Sequence, residues 1–280
     1  MSSDLNNGSS NGQPEGPFSG QCALVTGAAR GIGEALANEL ASLGARVAVT
    51  DLNVAEAARV AARLPGHGHV AYQLDVTDSQ RLDQVRREIH RDMGPIQVLV
   101  NNAGVVFGGA FLDVPVEKHR LTLRINAEAV VAITHAFLAD LIASDRGRIL
   151  QVASASGFLG LPFGSSYAAS KWAVVGFSES LRMELKNLGH DHVTVTALCP
   201  SYIRTGLFKG VRPPRFTRWL TPKGVAAKAV VATIRGKRRV MMPWLAKTAP
   251  MLVGAPAPIS DAISTAVGAA NSMQSWRGHE

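Results

Sequence analysis

The amino-acid sequence predicts a single α/β domain, doubly wound, with a mainly parallel seven-stranded sheet and helices on both faces. Three observations predict it. From Gln21 onward short apolar runs alternate with longer amphipathic ones, the pattern of repeated strand-helix units. The short runs are continuous in Val, Leu, Ile and Ala, as strands covered on both faces require. At 280 residues, with 46% hydrophobic and 18% charged residues, the chain has the apolar content for one large core, which excludes a disordered protein.

The elements follow in order. Residues 1–20, MSSDLNNGSSNGQPEGPFSG, are polar and rich in Ser, Asn, Gly and Pro, so the chain is expected to begin as a disordered arm. CALVT starts the sheet and is followed by a helix from about Gly31 to Leu43. RVAVT precedes a helix around Val54 to Arg63, and HVAYQLD precedes one from Ser79 to Arg91. IQVLV leads to a helix from about Val116 to Ala143, RILQVAS to one from about Ser166 to Leu188, and VTVTALC is the sixth strand. A helix at Val225 to Ile234 and the strand RRVMM complete the set, giving a main domain over 21–245 and an extension over 246–280. No run reaches the length of a membrane-spanning helix, because Pro250, Pro256 and Pro258 break the longest uncharged stretch.

Two cysteines, Cys22 and Cys199, without a targeting segment, point to buried free thiols in a reducing compartment, and a cytoplasmic location is expected. Twelve of the 29 basic residues lie between His192 and Ser260, where there is no Asp or Glu. A basic region of this kind reads first as solvated surface; an anionic membrane or substrate are the other candidates. Nucleic acid is not expected, since the stretch has no zinc spacing, RNP-like aromatics or helix-turn-helix pattern, and nothing in the chain asks for a metal.

After the first strand comes Thr26-Gly27-Ala28-Ala29-Arg30-Gly31-Ile32-Gly33, opening a helix. Glycines let the chain turn sharply and let a pyrophosphate approach the backbone, and a helix N-terminus offers it unpaired N–H groups. Asp51 ends the second strand, where a carboxylate accepts hydrogen bonds from an adenosine ribose. A carboxylate there disfavours a 2′-phosphate, so NAD is expected over NADP, although Arg30 in the glycine loop could reach a phosphate.

The spacing Gly-x-x-x-Gly-x-Gly, together with Asn101-Asn102-Ala103-Gly104 after the fourth strand, resembles the short-chain dehydrogenase/reductase family, over roughly Gln21 to Met242. That resemblance implies a Rossmann-type fold, with Asp75 and Val76 flanking the adenine, Asn101 holding the central strand, and Asn102, Ala103 and Gly104 in the cofactor site.

Tyr167 and Lys171, four residues apart near a helix start, share one face. A free tyrosine titrates near pH 10, so a neighbouring ammonium is expected to favour the phenolate and make Tyr167 a usable acid and base. Ser154, at the end of the fifth strand, can hydrogen-bond a substrate oxygen as charge develops there. The family has the same tetrad, which implies that Asn126 positions a water in a proton relay and that Lys171 also binds the nicotinamide ribose. Ser156 competes with Ser154, but Ser154 has the family spacing of thirteen residues before Tyr167. Cys199-Pro200-Ser201-Tyr202-Ile203-Arg204-Thr205 resembles the family segment that contacts the nicotinamide, placing Pro200, Ile203 and Thr205 in the cofactor site; Ser201 replaces the usual glycine.

The resemblance places the substrate after the catalytic serine and in the loop 201–222, which makes Phe158, Leu159, Phe163, Tyr202, Leu207, Phe208 and also Trp219 the candidates beside Ser154 and Tyr167. These side chains are mostly apolar, so a hydrophobic secondary alcohol or ketone is expected: aliphatic, aryl or steroid-like. The alternatives are an NADP-dependent 3-oxoacyl thioester reductase and a dinucleotide sensor without chemistry. The extension could cover the substrate mouth, pack on a neighbouring subunit or touch a membrane surface, given Trp244, Met251, Leu252 and Trp276. The resemblance implies a homotetramer or homodimer, with the helices bearing Asn126 and Tyr167 at the main interface.

Overall fold

The computed structural model describes residues 16–214 and 217–278; the expected disordered arm lies, up to residue 15, outside the described residues. The strands are β1 (Cys22–Thr26), β2 (Arg46–Asp51), β3 (Val70–Gln73), β4 (Val98–Asn101), β5 (Arg148–Val152), β6 (Thr194–Pro200) and β7 (Arg239–Met242). They form one parallel sheet in the order β3-β2-β1-β4-β5-β6-β7. The order reverses between β1 and β4, and the crevice past the C-terminal ends of those strands is where such sheets bind ligands.

The helices are α1 (Gly31–Ser42), α2 (Val54–Arg63), α3 (Ser79–Met93), α4 (Val116–Leu123), α5 (Ala129–Ala143), α6 (Ser165–Asn187), α7 (Pro222–Ile234), α8 (Ala249–Val253) and α9 (Ala257–Ala266). Every residue of β1 is buried. Ala23 and Val25 enter one core with Leu36 and Leu40 of α1 and Val230 of α7; Cys22 and Leu24 enter the other with Ile89 of α3, Phe137 of α5 and Leu181 of α6. Strand alternation thus feeds two cores, which is why the sequence shows continuous apolar runs. Cys22 and Cys199 are free and buried, as expected.

Three expectations are corrected. The polar arm stops short of residue 20: Phe18 is fully buried, its N–H donates to the Leu43 carbonyl at 3.1 Å, and the Arg148 guanidinium lies 5.6 Å from its ring centre. One aromatic side chain anchored under α1 outweighs the polar composition around it. The single helix expected over 116–143 is interrupted by a π-helical turn at Arg124–Glu128, which contains Asn126. Contrary to the expectation that no run reaches that length, this stretch is long and apolar enough by length and composition to cross a membrane, yet it packs Ile133, Phe137 and Leu141 into the core beneath the sheet.

Candidate active site

The glycine loop is shaped by its neighbours. Gly27 has φ +61°, in the left-handed region, and a Cβ there would meet Ala103 Cα at 2.8 Å. A Cβ on Gly33 would come within 2.2 Å of the Gly27 carbonyl oxygen and 2.5 Å of Asn102 Nδ2, so only glycine fits. Asn102 fastens the loop: its Nδ2 donates to the carbonyls of Thr26 and Gly27, both at 2.9 Å, and its own N–H donates to Thr26 Oγ1 at 3.0 Å. The amide of Asn102, expected as a cofactor contact, is therefore committed to the loop. Asn101 donates to Thr134 Oγ1 on α5 at 3.0 Å, which ties β4 to that helix.

The helix starts are of two kinds, and α4, α6 and α9 share with α1 the lack of a side-chain cap bond. Asn53, Asp78 and Thr221 cap α2, α3 and α7 by accepting a backbone N–H through their side chains. Arg30 precedes α1 without a side-chain cap bond, leaving the first-turn N–H groups directed at the cleft. Asp51 stands at the edge, accepting from Ala29 N–H at 3.1 Å and Asn53 N–H at 3.0 Å. The spare lone pairs of its two oxygens suit a pair of ribose hydroxyls. Asp75 accepts from the N–H and hydroxyl of Thr77, which holds the turn that presents Val76.

A cleft of about 280 Å³ runs across these elements. It is lined by Gly27, Arg30, Gly31, Ile32, Asp51, Asp75, Val76, Asn102, Ala103, Gly104, Pro200, Ile203 and Thr205, and at its far end by Ser154, Tyr167 and Lys171. Gly33 packs beneath the loop instead of lining the cleft. Ser201, where the family has glycine, is not in the left-handed region; its N–H donates to the Met242 carbonyl at 2.7 Å, so the serine costs no backbone strain.

At the catalytic end, Ser154, Tyr167 and Lys171 are all buried. Lys171 Nζ donates to the Val152 carbonyl at 2.8 Å and lies 5.6 Å from the Tyr167 ring centre. Burial pushes the ammonium of Lys171 down to about 8. Tyr167 departs from the expected lowering: burial pushes its hydroxyl up to about 12, opposed by a hydrogen bond with Ser154. Removing a phenolate from water outweighs what the neighbouring groups return. Of the two serines, Ser154 lines the cleft and a neighbouring apolar cavity and hydrogen-bonds with Tyr167, whereas Ser156 lines only that cavity and its hydroxyl is buried without a partner.

Asn126 sits in the π-helical turn, where a widened helix turns its amide toward the loop after β4. Its Oδ1 accepts from Val105 N–H at 2.8 Å, and its Nδ2 donates to the Val105 carbonyl at 2.8 Å and to Ser170 Oγ at 3.1 Å. Ser170 in turn donates to the Tyr167 carbonyl at 2.6 Å. The side chain of Asn126 thus clamps the loop to the catalytic helix.

A second cavity of about 230 Å³ opens from Ser154, Ser201 and Phe208. Leu159 and Tyr202 line it as expected, and so do Leu161, Ala246, Ala249, Ile263, Val267 and Ser272, which the sequence reading did not single out. Four substrate candidates lie elsewhere. Phe158 is in the core against Val174 and Ala197, with the Arg239 guanidinium 4.5 Å above its ring. Phe163 has φ +63° and accepts from Gly109 N–H through its carbonyl, its ring packed on the cluster around Tyr167. Leu207 lines the first cleft, and Trp219 stacks edge-on against Tyr202 at 6.0 Å. Phe163, Leu207 and Trp219 pack in the cluster around Tyr167 and Tyr202, beside the second cavity without lining it.

The extension closes this pocket. After β7 the chain forms a short turn at Trp244–Thr248, then α8 and α9, and returns to bury Ser272 and Met273. Tyr202 Oη donates to Ser272 Oγ at 2.6 Å, Trp276 Nε1 donates to the Leu207 carbonyl at 3.2 Å, and Arg277 N–H donates to the Lys209 carbonyl at 3.0 Å. Of the expected roles for the extension, covering the pocket is the one these contacts support.

Residues 21–215 match the family model described as short chain dehydrogenase. The chain is 32% identical over 241 residues to epidermal retinol dehydrogenase 2 of Homo sapiens, covering 83% of this chain and 77% of that protein. It is 35% identical over 196 residues to estradiol 17-beta-dehydrogenase 11 of Mus musculus, covering 68% of this chain and 64% of that protein. A solved short chain dehydrogenase/reductase from Burkholderia phymatum, in complex with NAD, has the same fold with a TM-score of 0.76 at 25% identity, covering 83% of this chain and 92% of that one.

Proposed function

The chain belongs to the short-chain dehydrogenase family, and from that premise we propose that it is an NAD(H)-dependent oxidoreductase of hydrophobic secondary alcohols and ketones. The observation that carries the reading is an apolar pocket opening from the Ser154 end of a dinucleotide-shaped cleft. The uncapped start of α1, the glycine-only approach at Gly27 and Gly33, and the Asp51 carboxylate suit pyrophosphate and ribose. Lys171 suits the second ribose. When bound there, the nicotinamide dinucleotide supplies the hydride acceptor or donor and, oxidised, a positive charge beside Tyr167.

In this reading Ser154 and Tyr167 hold the substrate oxygen by hydrogen bonds, so that charge developing on it meets fixed donors. Tyr167 gives its proton to that oxygen in reduction and takes it back in oxidation. Burial raises the Tyr167 hydroxyl, which suits it to give its proton in reduction; in oxidation the positive charge that the oxidised dinucleotide would bring favours the phenolate. Ser170 and Asn126 keep the catalytic helix in register with the loop after β4. Asp51 and the apolar lining favour this reading over an NADP-dependent reductase of 3-oxoacyl thioesters. The names of the retinol and estradiol dehydrogenases among its relatives agree with a large apolar alcohol.

We place the protein in the cytoplasm as a homo-oligomer, for which Leu123, Val131 and Trp172, exposed on the helical layer bearing Asn126 and Tyr167, offer an apolar face. The test is a screen at 340 nm of NAD and NADP against aliphatic, aryl and steroid alcohols and 3-hydroxyacyl thioesters. NAD-linked oxidation of apolar secondary alcohols is expected; activity confined to NADP and thioesters refutes the proposal.

A further inference from the structure

We propose that Trp276 is a positioning residue, which from the end of the extension holds Leu207 and Phe208 of the substrate loop against Tyr167. The loop needs such a hold. Among its described residues, 204–212 forms neither helix nor strand, so no ladder of backbone bonds fixes it. Its backbone is tied instead to residues 272–277. The Leu207 carbonyl accepts from Trp276 Nε1 at 3.2 Å, the Lys209 carbonyl accepts from Arg277 N–H at 3.0 Å, and Arg212 N–H donates to the Ser272 carbonyl at 3.2 Å. Gly210, with φ +81°, lets the two segments come this close, since a Cβ there would lie 2.2 Å from the Ser275 carbonyl oxygen.

Trp276 reaches a second loop with its ring. The indole stands edge-on to Phe107 with ring centres 6.5 Å apart, and a Cβ on Gly108 would lie 3.0 Å from the indole. An indole joins an N–H donor to an apolar ring, so one side chain bonds the first loop and packs on the second. Those loops follow β6 and β4, the neighbours of β5 in the sheet, and Ser154 follows β5 between them. Trp276 thus spans the two sides of the catalytic end. It lies beyond residues 21–215, which the family model matches, so the hold comes from outside the matched domain.

Phe208 carries the effect to the chemistry. Its ring stands edge-on to Tyr167 with centres 5.9 Å apart and to Tyr202 at 5.3 Å, and it lines both the cleft and the apolar cavity. Leu207 lines the cleft beside it, whereas Trp276 lines neither space and so acts through the loop. With Leu207 held by its carbonyl, Phe208 is kept where it walls Tyr167 from water, and the phenol meets the substrate oxygen without a competing hydrogen bond. The effect on turnover rests on the proposed oxidoreductase reading; the hold on the loop does not.

The experiment measures trypsin cleavage of the full chain beside steady-state turnover of a short water-soluble alcohol, in Trp276→Ala, Trp276→Phe, Gly108→Ala and the Trp276→Ala, Gly108→Ala double variant. Trypsin reads the loop directly, because the Lys209 carbonyl that Arg277 N–H holds belongs to the bond it cuts. Trp276→Ala should speed cleavage after Lys209 by about fivefold and lower kcat by about tenfold, with KM changed by less than about twofold. Trp276→Phe, which keeps a ring and loses the donor, should fall between it and the wild type. Gly108→Ala presses on the indole from the other loop and should act in the same direction by about two- to threefold, yet add nothing to Trp276→Ala, where the indole is gone. Wild-type cleavage in Trp276→Ala, faster cleavage with kcat unaltered, lost kcat without faster cleavage, or additive effects in the double variant overturn the proposal. So does a melting temperature that falls in step with both rates, which would make Trp276 a residue of the fold alone. Absence of turnover in the wild type refutes the oxidoreductase reading, and the cleavage rates then still decide whether Trp276 holds the loop.

Discussion

Asn102 bears the load of the cofactor loop through two hydrogen bonds, and replacing it tests whether the loop must be held. Its Nδ2 donates to the carbonyls of Thr26 and Gly27, each at 2.9 Å. At a net 0.5 to 1.5 kcal/mol each, Asn102→Ala should lose about 1 to 3 kcal/mol of stability, because both carbonyls are left without that donor. If the whole cost falls on the bound conformation of the loop, dinucleotide affinity falls by about 5- to 150-fold. Asn102→Asp keeps the shape but turns an acceptor oxygen toward two carbonyl oxygens, and adds negative charge beside the pyrophosphate site. It should therefore be worse than the alanine variant in both respects. Urea denaturation and titration with NADH followed by fluorescence supply the two numbers. An aspartate variant as stable as the wild type, with unchanged affinity, would refute the role given to Asn102.

Gly33→Ala should abolish dinucleotide binding and cost about 1 to 3 kcal/mol in a melt, since its Cβ would overlap the Gly27 carbonyl oxygen at 2.2 Å; normal NADH titration would contradict this. Lys171, lowered by burial from 10.5 to about 8, gives a pH signature. Between those values the unfolded chain holds the proton and the folded one does not, so stability rises with pH; below about 8 the cost is fully present. Lys171→Met should therefore gain most over the wild type near about pH 7 and least near about pH 10 in urea denaturation, and the reverse trend would refute the assignment. Leu161→Trp fills the apolar pocket and should raise KM for a steroid-sized alcohol by about tenfold or more while sparing a short aliphatic one; equal effects on both would place the substrate elsewhere.

Much of the architecture was legible because periodicity and motif coincide. The seven apolar runs became the seven strands, and the glycine loop, Asp51, Ser154, Tyr167 and Lys171 converge on one cleft because each is set by a strand end or a helix start. What escaped was governed by contacts distant in sequence. Phe18 is held by Leu43 and Arg148, which no local pattern shows. The π-helical turn at Asn126 leaves the apolar pattern of that helix almost unchanged, so it could not be read from spacing. The pocket wall from Ala246 to Ser272 lies beyond the residues matched by the family model, and its only signal was an apolar, proline-broken stretch. The raised Tyr167 hydroxyl follows from burial, which the spacing to Lys171 does not reveal.

In the proposed mechanism Tyr167 moves the proton while the rest of the cleft binds the dinucleotide. Its most direct test is Tyr167→Phe, measured side by side for NADH affinity and for turnover of the best alcohol from the substrate screen. Affinity close to that of the wild type and turnover reduced by about a hundredfold or more are expected. Turnover at the wild-type level with the ring hydroxyl gone would contradict it.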